Sequence, residues 1–330
     1  MSNSSSKIGR WIAAVIAALA LAAIFMNLVK DNMPKGEVRK IEGYVPWESE
    51  TLKVAETIPL QNGGRIKPLS SYAGFTMLGL HGARSMKIED EKGALKAVVF
   101  GYACHNTTMD YFMWSGDYAG FAQIEIEKKH PGALALFWIG CGGDANPLPR
   151  RKIELCEKYG KELAVAVEET LNGKTSQLTE KLSAKYAEVS LPLGEIPGKE
   201  KWEADLSSKN HAAMMLAKKM LEHLKTGKIP DHYPYYPLQV WQFGDQLTWV
   251  ALGGEVVIDY NKRLKKEIGG KSPVWITGYA NDVMSYIPSA RVVKEGGYEG
   301  ESSQIYYGFP TKWSPKIEDI IVNKTLGLAR

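Results

Sequence analysis

Two short apolar runs, each closed by glycine, constrain this chain most. Ala97-Val98-Val99-Phe100 runs into Gly101, and Ala133-Leu134-Ala135-Leu136-Phe137-Trp138-Ile139 runs into Gly140. Runs of this length, without the 3.6-residue spacing of an amphipathic helix, read as buried strands. Behind the first comes Cys104-His105-Asn106-Thr107-Thr108, and behind the second Cys141-Gly142-Gly143-Asp144-Ala145-Asn146-Pro147. A histidine delivered by the end of a buried strand into a loop of small polar residues is a common setting for a metal ligand. A hydrogen-bonded structural histidine fits the same residues.

Helical spacing appears further on. Arg150 to Asn172 carries Ile153, Cys156, Leu163, Val167 and Leu171 on one stripe and stops before Gly173, while Glu154, Glu157, Lys158 and Lys161 fall largely off it as a solvated face. Ala212 to Lys225 places Ala213, Leu216, Met220 and Leu224 together, and Met214, Met215 and Met220 read as core. Asp231 to Pro237, with three tyrosines and two prolines, reads as a loop or edge segment. Val240–Leu252 and Val274–Tyr279 read as strands, and Glu255–Leu264 as a helix. Strands alternate with helices, so the expected class is α/β, or mixed α+β.

Composition excludes rather than identifies. A formal charge of +4, from 41 basic and 37 acidic residues, has no basic stripe with interleaved aromatics, which argues against a nucleic-acid partner. Three cysteines, Cys104, Cys141 and Cys156, cannot all pair and form no C-x-x-C, so buried free thiols are expected.

The N-terminus carries an address. Trp11 to Val29 is nineteen residues interrupted only by Asn27, long enough to cross a bilayer, behind a polar stretch with Lys7 and Arg10. Ala18-Leu19-Ala20 and Ala20-Leu21-Ala22 resemble signal-peptidase sites, but the apolar run continues past them through Ile24-Phe25-Met26. The expectation is an uncleaved transmembrane anchor at 11–29, with 1–10 cytoplasmic. Residues 30–330 are then extracytoplasmic, in a periplasm or at a cell surface.

Taken in order, several blocks resemble the neutral/alkaline non-lysosomal ceramidases. They are Cys104–Thr108, Ser115–Gln123, Gly140–Pro147, Ala251–Glu255, Gly278–Pro288 and Gly297–Gly300, and the resemblance runs from about 92 to 316. It implies a ceramidase-like catalytic core, preceded here by the N-terminal membrane helix, and zinc as cofactor. By position, it makes His105 a zinc histidine, Glu255 the carboxylate ligand at a strand-to-helix junction, and Tyr286 a tyrosine ligand. Tyr298 matches the tyrosine that holds the carbonyl oxygen in the transition state. The substrate implied is a ceramide-like lipid amide.

Each residue also has a plainer reading. Glu255 opening a helix would favour its positive end, and Tyr286 and Tyr298 would serve as half-buried tyrosines. His130, His211, His223 and His232 show no metal spacing and read as structural or exposed.

The chain also departs from that family. An upstream histidine-rich block, which supplies the family's first zinc histidine, is absent. His81 is the only histidine ahead of His105. The block that carries a serine in ceramidases places Asn146 at or beside that position, and an amide donates a hydrogen bond but is not a hydroxyl nucleophile. The domain at 91–330 is therefore expected to be N-terminally incomplete, without the later immunoglobulin-like domain.

Ahead of it, Ile58–Leu69 contains Gly63-Gly64-Arg65-Ile66-Lys67-Pro68-Leu69, and Ser70–Leu80 suits a short amphipathic helix. The stretch from about 42 to 87 resembles the extracytoplasmic leader of cytochrome c biogenesis membrane proteins, which makes 30–90 a leader segment. Three functions follow: a membrane-anchored zinc amide hydrolase, a catalytically degenerate extracytoplasmic binding module, and a cytochrome c assembly accessory protein. Absence of a C-x-x-C-H haem site argues against the last.

Overall fold

The computed structural model describes residues 85–178, 181–270 and 272–330. The apolar run 11–29, the suggested helix at 70–80 and nearly all of the 42–87 stretch lie outside them. No helix among the described residues is long and apolar enough to cross a membrane.

The described residues begin with a hairpin of β1 (Ser85–Glu89) and β2 (Leu95–Tyr102), followed by α1 (Asp117–Lys129), β3 (Leu134–Ile139) and α2 (Ile153–Asn172). Next come β4 (Leu182–Pro192), α3 (Lys199–Asp205), α4 (His211–Thr226), β5 (His232–Phe243) and β6 (Leu247–Leu252). The last part holds β7 (Glu255–Val256), α5 (Ile258–Ile268), β8 (Val274–Thr277), β9 (Tyr286–Ile287), α6 (Ala290–Glu295), a π-helical turn (Tyr298–Ser302), α7 (Gln304–Tyr307) and α8 (Ile317–Ala329).

Three sheets form. One has the order β1-β2-β3, antiparallel then parallel; the second has the order β4-β5-β6-β8, with only the β6–β8 pair parallel; the third is the short parallel pair β7-β9. Period-2 alternation decides which side chains go where. Val98 and Phe100 of β2 and Ala135 of β3 pack with Ala122 and Ile126 of α1 and Ala164 and Val167 of α2. From the opposite face, Met86, Ile88, Ala97 and Val99 meet Phe243, Leu247 and Trp275 of the second sheet. That sheet's other face, Leu238, Val240, Val250, Leu252 and Ile276, packs on Tyr260 and Leu264 of α5 and on Ile317, Ile321 and Val322 of α8. The result is helices, sheet, sheet, helices, a mixed α/β core as the alternation of elements implies.

Between the sheets Trp138 stacks on Trp275 with ring centroids 5.4 Å apart, and Trp249 meets Trp138 tilted and Trp275 edge-on. The two sheets also touch at their ends, where Gly140 bridges to Thr277 and Thr277 Oγ1 donates to the Ile139 carbonyl at 2.5 Å. A satellite cluster of Trp202, Leu216, Ala217, Met220 and Ile229 joins α3 to α4.

Several sequence expectations need correction. Residues 240–252 are not one strand: β5 and β6 form an antiparallel hairpin that turns at Gly244, whose φ of 51° is the left-handed region glycine favours. Of the two readings for Asp231–Pro237, loop or edge segment, the edge one holds, because β5 starts at His232. There β5 pairs only with β4, so its prolines sit where no second neighbour needs their missing N–H. Glu255 does not open a helix; it lies on β7, and α5 begins at Ile258. Of the methionines read as core, Met220 is buried but Met215 is exposed. The expected boundary near residue 90 falls at the turn of the β1–β2 hairpin, where Asp90 Oδ1 accepts the Lys92 and Ala94 N–H groups.

Candidate metal centre

Three loops leave neighbouring strand ends and converge. The first follows β2 and carries His105; the second follows β3 and holds Gly142, Gly143 and Asp144; the third follows β8 and holds Tyr279. The middle loop ties the others together. His105 N–H donates to the Ala145 carbonyl at 2.9 Å, Gly143 N–H donates to the Val256 carbonyl at 2.9 Å, and Asp144 Oδ1 accepts the first N–H of α5, from Ile258, at 2.9 Å. This close approach requires glycine. A Cβ at Gly142 would lie 2.6 Å from Cys104 N, and one at Gly143 would lie 2.5 Å from the Glu255 carbonyl oxygen.

Glu255 and Tyr286 stand opposite each other in the parallel pair β7-β9, so their side chains share one face. His105, buried from the other side, completes the group. Its Nδ1 lies 3.7 Å from Glu255 Oε2, and the Tyr286 hydroxyl lies 3.3 Å from its Nε2. The structure thus brings together His105, Glu255 and Tyr286, the three residues that the sequence blocks single out as ligands.

Two further tyrosines, not singled out from sequence, belong to the same group. The Tyr279 hydroxyl is 3.0 Å from His105 Nδ1 and 3.4 Å from Glu255 Oε2. Tyr307 donates to the other oxygen of the same carboxylate, Oε1. Tyr279 is held at φ +57°, a conformation bulky residues rarely adopt and one concentrated at functional sites. Its placement in Gly278-Tyr279-Ala280-Asn281 at a strand end was the available signal.

The proton on His105 follows from its neighbours. Nε2 faces the Gly143 carbonyl at 3.0 Å, and a carbonyl only accepts, so Nε2 carries the hydrogen. In the neutral ring, Nδ1 then presents its lone pair toward Glu255. A ring N–H given to a backbone carbonyl is the usual way a metal-binding histidine is oriented. Two ligands each about 2.0–2.1 Å from one zinc ion stand less than about 4.2 Å apart, and the observed 3.7 Å meets that limit.

The phenols keep their protons. Burial first, and then the Glu255 carboxylate, push Tyr279 and Tyr286 well above the ordinary tyrosine range. Tyr307 rises as well, through burial and its hydrogen bond to Glu255. Among the described residues, no three His, Cys, Asp or Glu side chains form a metal-sized group. The donor set is therefore one imidazole and one carboxylate with adjacent phenols, which supplies two of the three or four protein donors a zinc site uses.

Tyr298 lies at the rim, half exposed on the π-helical turn, its ring 5.5 Å from that of Tyr286. Asn146 is on the surface. Its Oδ1 accepts from Thr107 Oγ1 and from Arg150 Nη1, both at 3.2 Å, so it pins two loops together and is not turned toward the His105–Glu255 pair. His130 pairs with Glu168 at 2.8 Å, a structural role. All three cysteines are free and buried.

No family model matches the chain, and no curated protein matches it. Solved structures do. The neutral ceramidase from Pseudomonas aeruginosa superposes with a TM-score of 0.54 at 16% identity, over 74% of this chain and 45% of that one. A ceramidase complexed with C2 gives a TM-score of 0.55 at 16% identity, over 74% of this chain and 47% of that one. The chain has a ceramidase-like fold, and it spans less than half the length of the solved structures it matches.

Proposed function

We propose that this chain is a zinc-dependent amide hydrolase that cleaves the N-acyl bond of ceramide-like lipids, anchored to a membrane through residues 11–29 with its catalytic part outside the cytoplasm. One observation carries the reading. His105, Glu255 and Tyr286, from three separate loops and strands of a ceramidase-like fold, converge, with His105 Nδ1 3.7 Å from Glu255 Oε2 and the Tyr286 hydroxyl 3.3 Å from His105 Nε2.

In this reading His105 and Glu255 hold the ion, with Tyr286 as the phenol donor. Bound zinc polarises a carbonyl and acidifies a water molecule. The chain's own groups do the rest. The Gly143 carbonyl fixes the His105 ring, and Tyr307 and Tyr279 orient the two oxygens of Glu255. Burial raises Tyr298 as well, so it retains a proton at neutral pH and is a hydrogen-bond donor for an oxygen that gains negative charge. Asn146 carries no hydroxyl and is turned away, so no covalent acyl step is assigned to it.

The test is fatty-acid release from ceramide by the full chain supplied with zinc. Release that disappears in both His105→Ala and Glu255→Gln supports the hydrolase. A folded, zinc-loaded chain that releases none favours the second reading, a catalytically degenerate binding module.

A further inference from the structure

The chain that follows the His105 loop carries a surface that the hydrolase reading leaves unused. Between the His105 loop and α1 the chain projects Tyr111, Phe112, Met113 and Trp114, all exposed, with Phe112 and Trp114 as open to solvent as in an extended chain. Four consecutive large apolar side chains in water are a standing cost, and such patches mark interaction sites. The loop is a built feature. Asp117, itself buried, accepts the N–H groups of Thr108 at 3.1 Å, Met109 at 2.9 Å and Tyr118 at 2.8 Å, so one carboxylate ties both ends of the loop.

A second loop sits beside it. Arg151 N–H donates to the Thr108 carbonyl at 2.5 Å, and this loop presents exposed Leu148 followed by Arg150, Arg151 and Lys152. Arg151 pairs with Asp110 at 3.6 Å, and Arg150 donates to Asn146. Asp117 and Arg151 both have positive φ, 50° and 75°, so both loops are held in backbone conformations set by their surroundings.

Aromatic and methionine side chains next to arginine and lysine match the boundary of an anionic bilayer. Amphipathic aromatic rings settle at the headgroup level, and basic residues are drawn to negatively charged lipid. We propose that the Tyr111–Trp114 loop inserts into the surface of an anionic membrane, with Leu148 beside it and Arg150, Arg151 and Lys152 against the headgroups. This contact is separate from the apolar run at 11–29. It also stands whether or not the metal centre hydrolyses lipid amides.

The experiment places an environment-sensitive fluorophore on the full chain through Trp114→Cys, and in a second variant through Glu203→Cys, an exposed position on α3. Cys104, Cys141 and Cys156 are buried, and the unsubstituted chain is the labelling blank. Each variant is read in vesicles of phosphatidylcholine and phosphatidylglycerol, 3:1 or so, with and without brominated acyl chains. The expected result is blue-shifted emission quenched by the brominated lipid at position 114 and not at 203. The signal should be lost when Arg150, Arg151 and Lys152 are replaced by glutamate, since each cation is worth roughly fivefold in attraction to such a surface.

Position 203 separates docking from mere tethering by the N-terminus. A position-114 label that iodide quenches equally with and without vesicles overturns the proposal. So does a label already shielded in the vesicle-free, detergent-solubilised chain, which would mean that protein covers the loop.

Discussion

The hydroxyl of Tyr279 stands 3.0 Å from Nδ1 of His105, on the side of the ring that faces Glu255. It also lies 3.4 Å from Glu255 Oε2. Tyr279 therefore orients the imidazole nitrogen and one carboxylate oxygen together. Tyr279→Phe keeps the ring and removes this hydroxyl, and zinc affinity is expected to fall by about 10-fold to 100-fold, the usual effect of losing an orienting partner. Competition titration against a chromogenic chelator reads this directly. Unchanged affinity would mean that Tyr279 is a packing residue only.

Gly143 tests whether the middle loop is the clamp. A methyl group there would meet backbone of Glu255, at 2.5 Å from its carbonyl oxygen, and neither side is a flexible side-chain end. Gly143→Ala is expected to cost about 1–3 kcal/mol in urea unfolding, in the range of other overpacked sites, and to weaken metal binding at the same time. A stable variant with normal metal affinity would contradict the clamp.

Asp117 offers a test of the loop that follows His105. Its two oxygens accept three backbone N–H groups while the side chain is buried. Asp117→Ala leaves those donors unpaired and is expected to destabilise by at least about 2–3 kcal/mol, because hydrogen bonds to a charged acceptor are the stronger kind. Chemical denaturation followed by tryptophan fluorescence would show the shift, and a change below about 0.5 kcal/mol would contradict the assignment.

Much of this architecture could be read from the residues. β2, β3, α2 and α4 follow from apolar runs and helical spacing, and their bounds agree with expectation to within a few residues. α1 was missed because its stripe is interrupted: Ala119, Ala122 and Ile126 are buried, but Ile124 is exposed on the other side. β4 was missed because it is an edge strand with Ser183, Lys185 and Glu188 along it, and edges favour charge over apolar alternation. At the site, His105 could be read from its place at the end of a buried strand, whereas Glu255 and Tyr286 emerged only from the joint order of several blocks, since no spacing rule links residues that meet across sheets. Tyr279 and Tyr307 were not legible, because their roles depend on a left-handed backbone and on the position of α7 rather than on residue type.

Alkaline conditions should weaken the fold. Burial pushes Cys141 and Cys156 up to about 12, and Tyr236 and Tyr260 rise too. Groups whose pKa is higher in the folded than in the unfolded chain bind more protons when folded. Their contribution is complete below the unfolded value, about 8.5 for cysteine and about 10 for tyrosine, and is lost as pH rises toward the folded value. The urea midpoint is therefore expected to fall steadily between about pH 8.5 and 11. A flat or rising midpoint over that window would contradict these burial effects.

Elemental analysis of the purified full chain tests most directly the proposed metal between His105 and Glu255. Near-stoichiometric zinc is expected in the unsubstituted chain and its loss in Glu255→Ala and in His105→Ala, with both variants still folded by circular dichroism. A folded, unsubstituted chain that takes up no zinc at neutral pH would contradict it.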